Sequence, residues 1–404
     1  MSNTAKSEHN HRIYLDHAGA TPLSQTARKA MRNTAGVYGN PSSLHAEGRA
    51  ANKILVDSRK NIAETLGVAP TEIIFTGSGS EADALALYGT AHAYQKLGRH
   101  IIVSAIEHKA ILRTAEKLER EGFSVTYLPV ASDGSVSPQA LEEAMRPDTT
   151  LVSIMYANNE IGTVEPIAEL AKVVQSRRGA RGAPLFHTDA CQAPGLLPIA
   201  PSELGIDLMT INGAKIYGPK GIALLYVRDG VLLEPLISGE QEKGRRGGTE
   251  NIELIAGFAA ALSEAVAMRT KEASRIAKLR DLLFDEIIRN IPNAHINGAR
   301  EARLPNNVHI SLPYIEGESV LLLLDAEGIA CSTGSACSAH DLTASHVLRA
   351  IGQNPEIMHG SIRMTLGRQN TEADVRFVAK ALKRATARLS AVSSLTVSGI
   401  KKSL

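Results

Sequence analysis

Between residues 70 and 230, short β-branched runs alternate with stretches of helical periodicity, and this rhythm restricts the chain more than any other feature. The runs cover residues 72–76, 100–104, 124–129, 151–156, 185–188, 207–211 and 221–227. They read as nearly continuous apolar segments, not as alternating ones, which is the pattern of strands covered on both faces. An α/β fold with a mostly parallel central sheet follows, and ligands are expected at the C-terminal ends of its strands. Beyond it, residues 263–291 carry a helical stripe of Ile276, Leu279, Leu283 and Ile287. A β-rich stretch at 307–312 and a final helix, opened by Thr371 with Asp374 three residues on, complete a smaller α+β unit. At roughly 150 residues per domain, 404 residues suit two or three such units. The expected division is a large domain over 20–265 and a small one from 1–19 with 266–404.

Charge and apolar content exclude several classes of function. Forty-four Lys and Arg against 42 Asp and Glu leave a formal charge of +2, far from the basic excess of a nucleic-acid or membrane-surface binder. With 44% hydrophobic and 21% charged residues, the chain is neither disordered nor fibrous. Its longest apolar stretch, residues 254–262, contains Gly257 and falls well short of the ~18 residues that span a bilayer. The polar, histidine-rich first residues hold no signal-peptide core, so a cytoplasmic protein is expected. Three cysteines make no disulfide framework and are expected as thiols.

Three segments carry candidate chemistry. The run at 72–76 leads into Gly77-Ser78-Gly79-Ser80 and a helix start at Glu81. Glycines let the backbone approach an anion closely, and free amides at a helix N-terminus favour phosphate. Gly77, Gly79 and Ala82 equally satisfy the dinucleotide pattern G-x-G-x-x-A, with Glu107 near the position of a ribose-binding acid, and an ordinary tight turn also fits. Two further strands end at Asp189 and just before Lys215. An acid and a lysine so placed suit pyridoxal phosphate: the acid keeps the pyridine nitrogen protonated and the lysine forms a Schiff base. Singly, an aspartate after a strand is more often a turn residue, and a lysine a solvated charge. The third segment, Cys331-Ser332-Thr333-Gly334-Ser335-Ala336-Cys337-Ser338, is a small-residue loop with a thiol at its tip. Cys337 is the candidate nucleophile, with Cys331 and Cys191 as inert small hydrophobes. The Cys331 to Cys337 spacing is no zinc pattern, and no metal site is expected.

In order along the chain, the motifs are Tyr14-Leu15-Asp16 with Thr21-Pro22, Gly39-Asn40-Pro41-Ser42-Ser43 with His45, Glu107-His108-Lys109, and Asn158-Asn159-Glu160-Ile161-Gly162. They continue through Asp189 with Gln192, Lys215-Ile216-Tyr217-Gly218-Pro219-Lys220-Gly221, Arg245-Arg246-Gly247-Gly248-Thr249-Glu250-Asn251, Gly334-Ser335-Ala336-Cys337 and Ser361-Ile362-Arg363-Met364-Thr365-Leu366-Gly367-Arg368. Together they resemble the cysteine desulfurases, pyridoxal-phosphate enzymes of the class V aminotransferase fold, and the resemblance spans most of the chain. It implies fold type I of the pyridoxal-phosphate transferases and a homodimer that converts L-cysteine to L-alanine. The sulfur passes to an acceptor protein such as an iron-sulfur scaffold.

By the same resemblance, Lys215 carries pyridoxal 5'-phosphate and later moves protons, Asp189 pairs with the pyridine nitrogen, and His108 stacks on the ring. Gln192 and Asn159 hydrogen-bond the phenolic oxygen or the substrate, while Gly79, Ser80 and Asn212 face the phosphate. Arg363 clamps the substrate carboxylate, Thr249 reaches the phosphate of the neighbouring subunit, and Cys337 takes the sulfur as a persulfide. The chain departs from the family in its phosphate cup. Asn212 and Ala214 stand where relatives present serine and histidine, Gly79 and Ser80 replace alanine and threonine, and Ala84 replaces asparagine. A charge-assisted hydrogen bond is worth roughly 1.5–3 kcal/mol, so reduced cofactor retention is expected unless Ser80 and Asn212 compensate. Selenocysteine lyase or another lyase on sulfur amino acids shares this machinery. A non-catalytic relative of the fold is a further alternative, and a dehydrogenase reading leaves Lys215 and Cys337 without roles.

Overall fold

A computed structural model describes residues 11–334 and 345–392. Its centre is a seven-stranded sheet in the order Ile73–Thr76, Ala223–Val227, Leu208–Asn212, Leu185–Asp189, Thr149–Ser153, His100–Ser104 and Ser124–Leu128. Ala223–Val227 runs antiparallel to both of its neighbours, and every other pairing is parallel. The expected runs all become strands, with ends displaced by at most three residues. The largest shifts are at the run expected over 151–156, which pairs as Thr149–Ser153, because its last three residues already leave the sheet towards the site.

Successive side chains of a strand point to opposite faces, and here each face meets its own apolar cluster. Ile73, Phe75, Ile102, Val152, Phe186, Met209 and Leu224 pack on one side. Ile74, Ile101, Val103, Leu151, Leu185, Leu208 and Leu225 pack on the other. Two covered faces explain why these strands show no polar alternation; the edge strand Ser124–Leu128, with only Leu128 fully buried, is the exception.

The long helix begins earlier than its periodicity predicts, running over Ile252–Asn290 with the Asn251 side chain accepting from the Leu254 amide. Its first turns bury Ile255, Phe258, Ala259, Ala261 and Leu262, so the amphipathic contrast that marks a helix in sequence is missing there. Gly257 sits where a Cβ would lie 2.6 Å from the Met31 Cγ, which lets this helix pack closely on Gln25–Thr34. The later turns contribute Ile276, Leu283 and Ile287 to a separate apolar cluster with Ile13, Leu15, Val308, Ile310, Ile362 and Leu382. That cluster covers a three-stranded antiparallel sheet, ordered Ser361–Thr365, Asn307–Ser311 and His295–Ile296, beside a parallel pair of Ile13–Tyr14 and Ile329–Ala330. The final helix, Glu372–Val392, opens on a reciprocal cap: the Thr371 amide donates to Asp374 Oδ2 at 2.9 Å, and the Asp374 amide donates to Thr371 Oγ1 at 3.2 Å.

Candidate active site

A cavity of about 320 Å³ opens at the C-terminal ends of the central strands. Of the site residues expected from sequence, Gly79, Ser80, His108, Asn159, Asp189, Gln192, Asn212, Lys215 and Arg363 all line it. Thr249 does not; it is exposed in the stretch preceding the long helix. Cys337 lies outside the described residues, although Gly334, three positions before it, is part of the cavity wall.

Lys215 ends a tight turn, Gly213–Lys215, that follows the strand Leu208–Asn212. Its Nζ donates to the carbonyls of Ala18, at 2.8 Å, and Gly19, which hold it across the cavity floor. Burial, followed by smaller charge effects, holds the Lys215 ammonium below its ordinary value, as suits an amine that must act as a nucleophile. Asp189 closes the neighbouring strand, buried, with Oδ1 accepting from the Cys191 amide at 2.9 Å. Gln192 Nε2 donates to the Ala18 carbonyl at 3.2 Å. His108 caps the helix Lys109–Arg120 through Nδ1, which accepts from the Ala110 amide at 3.2 Å.

Beneath Asp189 lies a set of buried polar groups. Burial pushes His187 down to about 4, so it is neutral at physiological pH; Nδ1 meets Ser153 Oγ at 2.8 Å and Nε2 meets Thr210 Oγ1 at 3.1 Å. Burial, and then Asp189, raise the Asp83 carboxyl well above the carboxylate range, and its Oδ1 has no hydrogen-bond partner. Glu107, pushed by burial to about 8, accepts from Ser104 Oγ at 2.6 Å and from the Met155 amide at 2.7 Å. Glu107 is therefore a buried structural acid, engaged far inside the wall and not offered to a ribose.

The phosphate cup takes a form that the substitutions alone do not disclose. The helix Gly79–Ala84 starts at the cavity with Ser78 as its cap, so the first-turn amides are directed there. A Cβ on Gly79 would lie 3.1 Å from Cys191 Sγ and 3.2 Å from Asn212 Nδ2, so the larger Asn212 occupies space that the missing methyl vacates. Asn212 Oδ1 accepts from the Ala214 amide at 3.0 Å, which turns its Nδ2 donor towards the cup. A glycine-lined turn, first-turn amides, Ser80 and the Asn212 amide thus form a donor set that fits a phosphate, and Lys215 with Asp189 fits an aldehyde and a pyridine nitrogen. The thiol of Cys191, raised well above its ordinary value by burial, is an inert part of this wall, and Cys331 is pushed by burial to about 12.

On the opposite side, Arg363 extends from the strand Ser361–Thr365. Nη2 donates to Asp16 Oδ1 at 2.8 Å and Nη1 to the Asn159 carbonyl at 3.0 Å, whereas the buried Nε has no acceptor. Arg363 is thus a guanidinium in the cavity wall with donors left over among the described residues, a group suited to a carboxylate. Asp16 belongs to the Tyr14-Leu15-Asp16 motif, and the sequence alone assigns it no role. Its link to Arg363 spans most of the chain, and no local spacing announces such a pair.

Comparison with known proteins agrees with this arrangement. The family description "Aminotransferase class-V" matches residues 13–378. The chain is 45% identical over 383 residues to a protein of Dictyoglomus turgidum named cysteine desulfurase IscS, covering 94% of this chain and 96% of that one. It is 44% identical over 392 residues to the cysteine desulfurase IscS of Methanosarcina thermophila, covering 96% of both. Among solved structures, a NifS-like protein superposes with a TM-score of 0.87 at 36% identity, covering 94% of this chain and all of that one. A structure titled SspA in complex with cysteine gives 0.75 at 35% identity, covering 88% and 98%.

Proposed function

This chain belongs to the class-V aminotransferase family and is a cysteine desulfurase, and we propose that it works with pyridoxal 5'-phosphate held by Lys215, Asp189 and the Gly79–Asn212 cup. In this reading L-cysteine gives L-alanine, and Cys337 receives the sulfur as a persulfide for an acceptor protein such as an iron-sulfur scaffold. The observation that carries it is the convergence on one cavity of Asp189 and Arg363, each from a strand, and Lys215, from the turn that follows a third strand.

When bound, the cofactor supplies an electron sink for the carbanion formed at the substrate α-carbon. The protein does the rest. Arg363 fixes the substrate carboxylate, exchanging part of its pairing with Asp16, and Asn159 orients the same end. The depressed basicity of Lys215 lets its amine give way to the substrate amine and then carry a proton between substrate carbons. His108 Nδ1 accepts from the Ala110 amide, which holds the ring in the cavity wall, where it would pack over the cofactor. The Cys337 thiolate attacks the substrate sulfur: the S–S bond forms, the C–S bond breaks, and its electron pair stays on carbon, which takes up a proton to become the methyl group of alanine.

The reading includes a division into a large unit over 20–265 and a small one from 1–19 with 266–404, and a homodimer in which Thr249 serves the partner's cofactor. Exposed apolar side chains at Tyr38, Leu44, Leu232 and Ile237 support a covered surface on this molecule. Among the described residues, no helix is long and apolar enough to cross a membrane, and a cytoplasmic location remains part of the proposal. The test is a visible spectrum of the purified protein, followed by L-cysteine with a reductant and assays of sulfide and alanine. Equal amounts of both are expected, with Cys337→Ser abolishing sulfide while the chromophore persists. A colourless protein that neither binds added cofactor nor forms alanine would overturn the reading.

A further inference from the structure

One acid beside the cavity has no part in the chemistry above. Glu160 completes the Asn158-Asn159-Glu160 motif and is buried. Its backbone is fixed from both sides: the amide donates to Asn158 Oδ1 at 2.9 Å, and the carbonyl accepts from Asn307 Nδ2 at 2.9 Å. The side chain therefore leaves a rigid base, and its carboxylate meets two residues that are eleven positions apart in sequence.

Ser345 Oγ donates to Glu160 Oε2 at 2.5 Å. The direction of that proton is determined, because the same oxygen accepts from the amides of Val347 and Leu348 at 3.1 and 3.3 Å while capping the helix His346–Ala350. At the other end, Gly334 approaches so closely that a Cβ there would lie 2.9 Å from Glu160 Oε2 and 2.8 Å from His309 Nε2. His309 Nδ1 accepts from Asn297 Nδ2 at 2.9 Å, an amide whose oxygen is identified by its bond from Gln353 Nε2. The neutral imidazole thus carries its proton on Nε2, which is buried and has no hydrogen-bond partner. Glu160 and His309 leave room for a glycine and nothing larger.

Gly334 and Ser345 are the residues on either side of 335–344, the stretch that contains Cys337. The residue before Glu160 accepts from Arg363 through its carbonyl. Two adjacent residues therefore meet Arg363, through the Asn159 carbonyl, and both residues that flank 335–344, through the Glu160 carboxylate.

We propose that Glu160 is a positioning residue for sulfur transfer, its carboxylate fixing Gly334 and Ser345, the two residues that flank 335–344, relative to Arg363. The inference rests on Cys337 being the acceptor. It separates two events that a general structural role would affect together: L-cysteine binding, read from the change in cofactor absorbance, and persulfide formation on Cys337, read by mass spectrometry of the quenched, digested holoenzyme. Glu160→Ala is expected to keep the absorbance change and its midpoint while slowing persulfide formation about tenfold or more, since small misplacement of a reacting group is costly. Glu160→Gln retains an oxygen that accepts from Ser345 and is expected to restore the rate.

Ser345→Ala is expected to slow the same step, Ser345→Thr to preserve it, and the Glu160→Ala/Ser345→Ala double variant to be no slower than the slower single. Should Glu160→Ala fail to fold, the Ser345 pair carries the test. Persulfide formed by Glu160→Ala at the wild-type rate, or slowed only in step with weakened cysteine binding, would overturn the inference. Wild-type enzyme that makes alanine with no persulfide on Cys337 would instead overturn the reading on which it rests.

Discussion

The two walls of the cavity are built on different principles. The wall made by the sheet presents groups stripped of water: Lys215 below its ordinary basicity, His187 down to about 4, and Asp83 and Cys191 raised. The wall made by the smaller antiparallel sheet presents an ion pair, Arg363 with Asp16, whose partners a ligand can exchange. Desolvation fixes protonation states and suits a cofactor that stays; exchangeable charge suits a substrate that comes and goes. Substitutions in the first wall are thus expected to act on the cofactor and on chemistry, and those in the second on substrate affinity.

The largest expected effect tests the first wall. In the proposed mechanism Lys215→Ala removes both the covalent attachment and the proton carrier, and turnover is expected to fall at least about a thousandfold, with loss of the cofactor's visible band. Added primary amines that restore turnover would locate the loss in proton transfer; a variant with normal spectrum and activity would break the assignment. Arg363→Lys comes next. It keeps the charge but not the fork, and kcat/KM for L-cysteine is expected to drop roughly 10–100-fold, mainly through KM, for a lost charge-assisted bond of about 1.5–3 kcal/mol. A fall confined to kcat with unchanged KM would erase the contrast between the walls.

The phosphate cup gives a smaller and more graded test. Ala214→His, which adds the donor that the family resemblance implies at this position, is expected to tighten cofactor binding about tenfold, and Asn212→Ala to weaken it similarly, both measured by dialysis against limiting cofactor. If Asn212→Ala binds as tightly as wild type, the Asn212 amide is not a donor to the phosphate, and the space shared with Gly79 is only packing.

Much of this was legible in the sequence because it is local. Strands buried on both faces show themselves as apolar runs, and Lys215 and Asp189 are found by following those runs to their C-terminal ends. What stayed hidden depends on contacts between distant segments. Residues 252–262 form helix, but their burial on most sides removes the periodicity by which helices are recognised. Asp16 and Arg363, Glu160 and Ser345, and Gly79 and Asn212 meet only once the chain is folded. The loss of family donors at Asn212 and Ala214 was readable; that a glycine across the cup makes room for Asn212 was not.

Buried titrating groups sharpen the comparison through stability. Glu107 has a folded value of about 8 against an ordinary value near 4.5, so the folded state binds the extra proton between them, and stability declines as pH rises through that window. His187 has the opposite sense: folded near 4 and unfolded near 6.5, it makes stability fall as pH drops from 6.5 to 4. The two effects offset each other between about pH 4.5 and 6.5, so Tm is expected to be level there and to decline from pH 6.5 to 8, and Glu107→Gln to flatten that decline by a few °C. A wild-type Tm that climbs between pH 6.5 and 8 would show that Glu107 is already ionised in the folded wall.

The smallest effect concerns Cys331, a thiol six positions before the proposed sulfur acceptor Cys337. Cys331 packs against the apolar cluster of the smaller sheet, and its thiol is pushed to about 12, with burial as the main cause. At neutral pH almost no thiolate exists there, and a thiol without thiolate is no nucleophile. Cys331→Ser is expected to leave sulfide release within about twofold of wild type, since it replaces one small partly buried side chain by another. The same exchange at Cys337 is expected to abolish release. If Cys331→Ser removes sulfide and Cys337→Ser does not, Cys331 is the acceptor, and the burial that raises its thiol must be relieved during turnover.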